Sequence, residues 1–405
     1  MEVSMLSERV EPLLRHMERE GYSRHTIEMT MADARWLERN GSGYETFEDA
    51  LDARCAETGC PRVRATRATS FRRLKRFLVD GELPEYGKRA PLRPKGAYHE
   101  LPGHMREVAD CYRRSALASG LAESTTAVRV SALSRFLLAM HEAGRRSLAD
   151  VTERDVLGYI TTPEGTPRLS GKVVNDLARV LSSDLGPHSA EAARIAALIP
   201  RSRAVRRNVQ FLTEDECERV LEALASPEVS RLDRAIVTTL YHTGLRAGDV
   251  AGLELGDIDW YRDEVRLTQA KTGTPLVLPL LPAVGNAIYD YIEDGRPESR
   301  DPHVLLQASR PHRPLTSVSV RRAVGRVFDA AGIRTAPGDR RGAHLFRYHA
   351  ATSMVGSGVP RSVASAVLGH EDPTSIDSYL FADIDGLRAC ALDVSRFPVA
   401  EGVFR

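Results

Sequence analysis

One pair of short β-rich runs, residues 265–268 and 276–280, interrupts a chain whose other strong signals are helical. Between the runs stands Lys271-Thr272-Gly273-Thr274, so the segment predicts a hairpin with Lys271 near its tip. On either side, apolar residues recur at helical spacing over 212–224, 232–241, 318–331, 343–356, 363–368 and 373–380. Thr213 followed three residues later by Glu216 has the form of a capping box, which marks the first of these starts. The pattern predicts a domain that is mainly α with a small antiparallel β-sheet.

At 405 residues the chain exceeds one ordinary domain. Residues 85–96 carry two Pro, two Gly and four basic residues, the composition of a linker. A second break lies over 186–208, beginning at Gly186-Pro187. Three parts result: a helical module over 1–85, a helical domain over 100–186, and a third domain over 208–405 that ends in a C-terminal tail. The first two are weakly alike. Tyr22-Ser-Arg-His-Thr26 and Leu121-Ala-Glu-Ser-Thr-Thr126 each place Ser or Thr at a helix-capping position before an amphipathic run. Thr152 is expected to cap the helix after it.

No run of about 18 uncharged apolar residues exists, and residues 1–20 are acidic, without a secretory core. Five cysteines without paired spacing predict thiols in a reducing cytoplasm. Cys55 and Cys60 have no second Cys/His pair nearby, so no metal is expected. The net charge of +1 conceals an uneven distribution. Residues 1–50 hold six Arg against eleven Asp and Glu. Residues 62–79 hold Arg62, Arg64, Arg67, Arg72, Arg73, Lys75 and Arg76 with no acid, and Arg201, Arg203, Arg206 and Arg207 form a second acid-free cluster. A local basic strip is the footprint of phosphate binding, so both clusters are expected to contact DNA. The plainer alternative is a solvated helix face.

The third domain carries a fixed order of chemistry-bearing residues: Arg246, Lys271, His344, Arg347, His370 and Tyr379. A phosphodiester is anionic and inert, so displacement without a metal needs permanent cations at its pentacoordinate transition state. Arginine forks match two phosphate oxygens, and a tyrosine hydroxyl is a covalent nucleophile once its proton can leave. His344 and Arg347, three apart on a helix, share one face. Asp249, three residues after Arg246, is expected to hold either that side chain or the local backbone, with a plain surface pair the equal alternative. Gly369 is expected to end its helix in a left-handed cap ahead of His370. Asp372-Pro373 then opens a helix that carries Tyr379 near its second turn. No phosphate-binding GxxxxGK[ST] loop is present, and no cofactor is expected.

Residues 211–382 resemble the catalytic domain of the tyrosine recombinase (phage integrase) family. The motifs that carry the likeness are FLTEDE, TGLRAGDVAGLELGDIDW, KTGTPLVLPL, HLFRYHAATSMVGSGV, LGH and Tyr379. The family often has a second His and a Thr where this chain has Tyr348-His349-Ala350. It often has paired Thr where Ser375-Ile376 stands, and an Arg soon after the hairpin Lys that is absent here.

The resemblance implies a site-specific recombinase, the integrase or transposase of a mobile element, that works through a 3′-phosphotyrosyl intermediate. It implies that Tyr379 is the nucleophile, that Arg246 and Arg347 hold the phosphate, and that His344 assists the tyrosine proton. His370 would hydrogen-bond the phosphate, and Lys271 would protonate the leaving oxygen. The partners implied are double-stranded DNA, three further copies in a homotetramer on two sites, and accessory DNA-bending or directionality proteins; no membrane partner is implied. Residues 100–186 resemble the family's core-binding domain; 1–85 is expected to be a related helical module or an arm-type DNA-binding domain, with a purely structural cap as the plainer alternative. The tail over 387–405 is expected to dock on a neighbouring subunit, and the location implied is cytoplasmic and nucleoid-associated. Two alternatives remain: a type IB topoisomerase-like nicking and rejoining enzyme, and a non-catalytic DNA-binding regulator of the same fold.

Overall fold

In a computed structural model, residues 9–56, 60–84, 92, 96–200, 210–369 and 376 are described. The chain divides into two compact units, Met1–His16 with His25–Arg206 and Met17–Arg24 with Arg207–Arg405.

Two hydrophobic cores are described in the first unit. The smaller gathers Ala50, Leu51 and Cys55 from the helix Phe47–Cys55 and Ala68 and Phe71 from the helix Pro61–Leu78, with Trp36 packed against them. Thr46 caps the former by accepting the Asp49 N–H at 3.1 Å, and Pro61 opens the latter where its missing N–H costs nothing. The larger core is built by the helices Gly103–Ala118, Glu123–Glu142, Glu153–Ile160, Gly171–Leu181 and Ser189–Leu198 around Leu133, Phe136, Leu137 and Leu181. Thr152 caps the helix Glu153–Ile160 as expected, and Asp155 completes a capping box with it.

Two boundaries differ from the sequence expectation. The helix Glu123–Glu142 is capped at Ala122, so Ser124, Thr125 and Thr126 lie inside its first turn. Glu123 supplies the acid that favours a helix start, and Thr126 turns inward and is buried. At Gly186–His188 the chain makes a 3-10 turn and then adds the helix Ser189–Leu198, which puts Ala192 and Ile195 in the larger core.

The second unit is mainly α around one small sheet. Three antiparallel strands run in the order β1 (Ile258–Asp259), β2 (Glu264–Thr268) and β3 (Pro275–Pro279). Val265 pairs with Leu278 and Leu267 with Leu276, so these four side chains share the buried face. Around them lie the helices Glu214–Ala225, Arg231–Thr243, Pro282–Asp294, Ser317–Ala330 and His344–Gly356, with Ile236, Leu240, Val324, Phe328 and Phe346 fully buried. Each such side chain contributes roughly 1.5–3 kcal/mol of burial. The Thr213/Glu216 capping box is present. Among the described residues no helix is long and apolar enough to cross a membrane.

Candidate active site

One tight turn organises the site. The helix Arg231–Thr243 ends at Gly244, in the left-handed region at φ +62. A Cβ there would stand 3.0 Å from both the Ala350 Cβ and Leu368 Cδ2, so only glycine lets two other helices close on this turn. The Gly244 carbonyl accepts from Arg347 Nη1 at 3.1 Å, and the Leu368 carbonyl accepts from Arg347 Nη2 at 2.7 Å. Arg347 is 2% exposed, and these anchors fix the plane of its guanidinium.

Two residues past Gly244, Arg246 stands at the N-cap of the short helix Ala247–Ala251. Its Nη1 donates to Gln269 Oε1 at 2.7 Å, while the Asp249 carboxylate lies 3.9 Å away. Asp249 is buried, and its Oδ1 instead accepts the Ala270 N–H at 3.0 Å. Of the two expected roles for Asp249, the backbone contact is the close one. It fastens the β2–β3 turn to the helix that follows Arg246.

That turn carries Lys271. Gln269 N–H donates to the Thr274 carbonyl at 3.0 Å and Gly273 N–H to the Gln269 carbonyl at 2.8 Å, with Gly273 at φ +73. Lys271 sits exposed in the loop so closed, as the hairpin pattern predicted.

His344 opens the helix His344–Gly356 and retains an exposed surface. Partial removal from water, then the charges of Arg347, Arg246, Lys271 and Arg321, hold its imidazole below the ordinary histidine range. That environment favours the neutral imidazole, the form able to accept a proton. The field of those named cations at one ring draws Arg246, Lys271, His344 and Arg347 into a single electrostatic neighbourhood. His349, by contrast, stacks on Tyr241 at 5.5 Å and lies 3.5 Å from the Cys217 sulfur, in the packing behind the helix.

Gly369 adopts the left-handed conformation expected of it, at φ +62. His370 and Tyr379 lie outside the described residues, as do Arg201, Arg203, Arg206, Arg207 and the tail over 387–405. Among the described residues no group of three or more His, Cys, Asp or Glu could hold a metal ion.

The basic strip over 62–79 is acid-free only along the chain. In the fold Arg64 meets Asp52 at 2.6 Å and Glu48 at 3.4 Å, Arg67 pairs with Asp33, and Arg76, 6% exposed, meets Glu82 at 2.7 Å. Neighbouring helices bring Asp33, Glu48 and Asp52, which a linear window cannot count, and Glu82 stands just past the strip's end. Arg62 is exposed, and Arg72 and Arg73 are half-buried.

The residue that sequence reasoning missed is Gln269. It is fully buried, it holds Arg246, and its amide nitrogen donates to the Leu368 carbonyl at 3.2 Å. The alternation Val265, Leu267, Gln269 already continued the buried face of β2 one residue past its end, and a buried amide needs partners.

Residues 210–383 match the family described as the phage integrase family. The chain belongs to that family, the tyrosine recombinases, and is a DNA strand-transfer enzyme of that class. A putative integrase/recombinase y4gC of Sinorhizobium fredii is 35% identical over 162 residues, which cover 40% of this chain and 82% of the relative. A second S. fredii protein, putative integrase/recombinase y4rA, is 24% identical over 91% of this chain and 89% of its own length. Tyrosine recombinase XerD of Mycobacterium tuberculosis is 28% identical over 66% of this chain and 90% of its own. The structure of a lambda integrase dimer bound to a COC′ core site shares the fold: TM-score 0.52, 19% identity, 80% of this chain and 87% of that one.

Proposed function

We propose that the chain is the integrase or transposase of a mobile element and that the six residues read from the sequence are its catalytic set. Tyr379 Oη forms a bond to the scissile phosphorus as the bond from phosphorus to the 5′ oxygen breaks. The phenol proton passes to His344 and the leaving oxygen takes one from Lys271, so a 3′-phosphotyrosyl enzyme and a free 5′ hydroxyl result. Arg246, Arg347 and His370 bind the non-bridging oxygens where charge develops. A 5′ hydroxyl from another strand reverses the step, which is strand exchange.

The observation that carries this reading is the hydrogen-bonded path from Arg246 through Gln269 and the Leu368 carbonyl to Arg347, which gathers two permanent cations beside the turn that presents Lys271. Permanent cations held together are what tyrosine attack on a phosphodiester needs. We assign the three-part division 1–85, 100–186 and 208–405 to an arm-type module, a core-binding domain and the catalytic domain. Double-stranded DNA is the substrate, held by four copies on two sites, with the tail over 387–405 docked between copies. Accessory bending or directionality proteins act with it, on nucleoid DNA in the cytoplasm. In the basic strip, Arg62 and Arg72 are the residues we assign to phosphate contact, with Arg201, Arg203, Arg206 and Arg207.

Plasmids bearing two copies of the core site, mapped by footprinting DNA around the gene, test the reading. Recombinant product is expected. Relaxation of supercoils without exchange would instead identify a type IB topoisomerase-like enzyme.

A further inference from the structure

We propose that Gln269 is the positioning residue that sets the Arg246 guanidinium against the scissile phosphate and couples it to the Lys271 turn and the segment entering His370. The proposal rests on the catalytic assignment above and adds a residue outside that set. Gln269 is fully buried, and its side chain reaches three elements. Oε1 accepts from Arg246 Nη1 at 2.7 Å and from Thr272 Oγ1, in the Lys271 turn, at 3.1 Å. Nε2 donates to the Leu368 carbonyl at 3.2 Å, the carbonyl that also accepts from Arg347 Nη2 at 2.7 Å. Arg246, Gln269, the Leu368 carbonyl and Arg347 thus form one unbroken hydrogen-bonded chain through the protein.

The neighbouring backbone is shaped around this amide. A Cβ on Gly369 would stand 2.3 Å from Gln269 Nε2 and 2.6 Å from Oε1, and Gly369 lies at φ +62. Glycine at 369 therefore serves the left-handed cap and also admits the amide beneath the residue before His370.

The choice of an amide follows from charge. Arg246 must be oriented yet keep its full positive charge for the phosphate. A neutral carbonyl oxygen orients a guanidinium without cancelling it; a carboxylate in the same place would pair with it and compete with the DNA. Unlike a carboxylate, the amide also donates to the Leu368 carbonyl whatever the pH. Asp249 meets Arg246 only as an ion pair at 3.9 Å through Oδ2, beyond hydrogen-bond reach, while its Oδ1 accepts the Ala270 N–H.

Two variants test the proposal in the full-length protein, with single-turnover cleavage of a nicked core-site duplex as the readout. Gln269→Leu is expected to slow cleavage on the order of 10²-fold, the scale of an ångström-level misplacement, with DNA affinity within a few fold of wild type. On the same duplex with a methylphosphonate at the scissile position, which carries no anionic non-bridging oxygen, the deficit should shrink at least about tenfold, because the missing function is charge placement. Gln269→Glu keeps the shape. Its cleavage relative to wild type should be low at neutral pH and rise as acid protonates the new carboxyl, which then donates and accepts as the amide does. Arg246→Ala is the control. Equal deficits on both substrates together with a flat Glu-to-wild-type ratio across pH, or wild-type cleavage by Gln269→Leu, would overturn the role of Gln269. Should Gln269→Leu fail to fold, the pH ratio of the isosteric Glu variant decides alone. Unimpaired cleavage by Arg246→Ala would instead overturn the catalytic assignment.

Discussion

The Asp249 carboxylate accepts the backbone N–H of Ala270 at 3.0 Å, one residue before Lys271. A buried acid on the Arg246 helix thereby holds the turn that presents the candidate general acid. Asp249→Ala should release that turn and slow cleavage roughly 10- to 10²-fold while DNA binding persists. Replacing the leaving 5′ oxygen by sulfur, whose thiolate leaves without a proton, should restore most of the rate to Asp249→Ala and to Lys271→Ala. A thiolate leaving group that rescues neither would remove Lys271 from general-acid duty.

Gly369→Ala adds a methyl group against the Gln269 amide at a left-handed position. Folding should lose about 1 kcal/mol or more to the backbone alone, and cleavage should fall with the displaced amide. The two sites are in contact, so their effects should not add: in a Gln269→Ala background, Gly369→Ala costs less cleavage activity than in wild type. Strict additivity of the two rate losses would show that the amide is not what the methyl displaces.

Acid should weaken the catalytic unit in a definite window. Both His344 and His349 are held below the ordinary value, each chiefly by removal from water. The unfolded chain therefore takes up protons first as pH falls. Stability from this source is complete above the unfolded value of about 6.5 and is lost as pH drops below it towards the folded values. Melting temperature followed downward from about pH 7.5 should decline through that region, and His349→Gln should flatten the decline. Cleavage, if His344 accepts the tyrosine proton while neutral, should hold its plateau below the ordinary histidine range.

Basic residues of the helix Pro61–Leu78 should separate into two kinds. Arg76 is buried against Glu82, so Arg76→Ala should destabilise the module by about 1–3 kcal/mol, seen as a lower unfolding midpoint. Arg62→Ala and Arg72→Ala should leave the midpoint within about 0.5 kcal/mol and reduce the salt dependence of DNA binding by roughly 0.9 per lost phosphate contact. An unchanged salt slope would return both to an ordinary solvated surface.

What the sequence disclosed was local chemistry. The Thr213/Glu216 box, the hairpin around Lys271, the HxxR spacing of His344 and Arg347, and the cap at Gly369 each depend on a few consecutive residues, and each is in place. What it hid was long-range. Arg64 and Arg67 looked unopposed because Asp52 and Asp33 reach them only through helix packing, and Arg76 because its partner Glu82, six residues on, lies just past the end of the strip. Gln269 escaped notice because an amide just past a strand has no motif of its own; its function exists only where Arg246 and Leu368 meet. The cap of the helix Glu123–Glu142 was misplaced for a different reason: three successive Ser and Thr residues resemble a cap, and burial of Thr126 moved the start earlier.

Covalent capture on a nicked core-site duplex bears most directly on the central claim, that Tyr379 attacks DNA under the cations gathered around His344. Wild-type protein should form an adduct that survives SDS and is insensitive to EDTA. Tyr379→Phe should form none while binding the same DNA within a few fold, and Arg246→Ala should form it on the order of 10²- to 10³-fold more slowly. An SDS-resistant adduct with Tyr379→Phe would contradict the account and direct attention to Tyr348 on the His344–Gly356 helix.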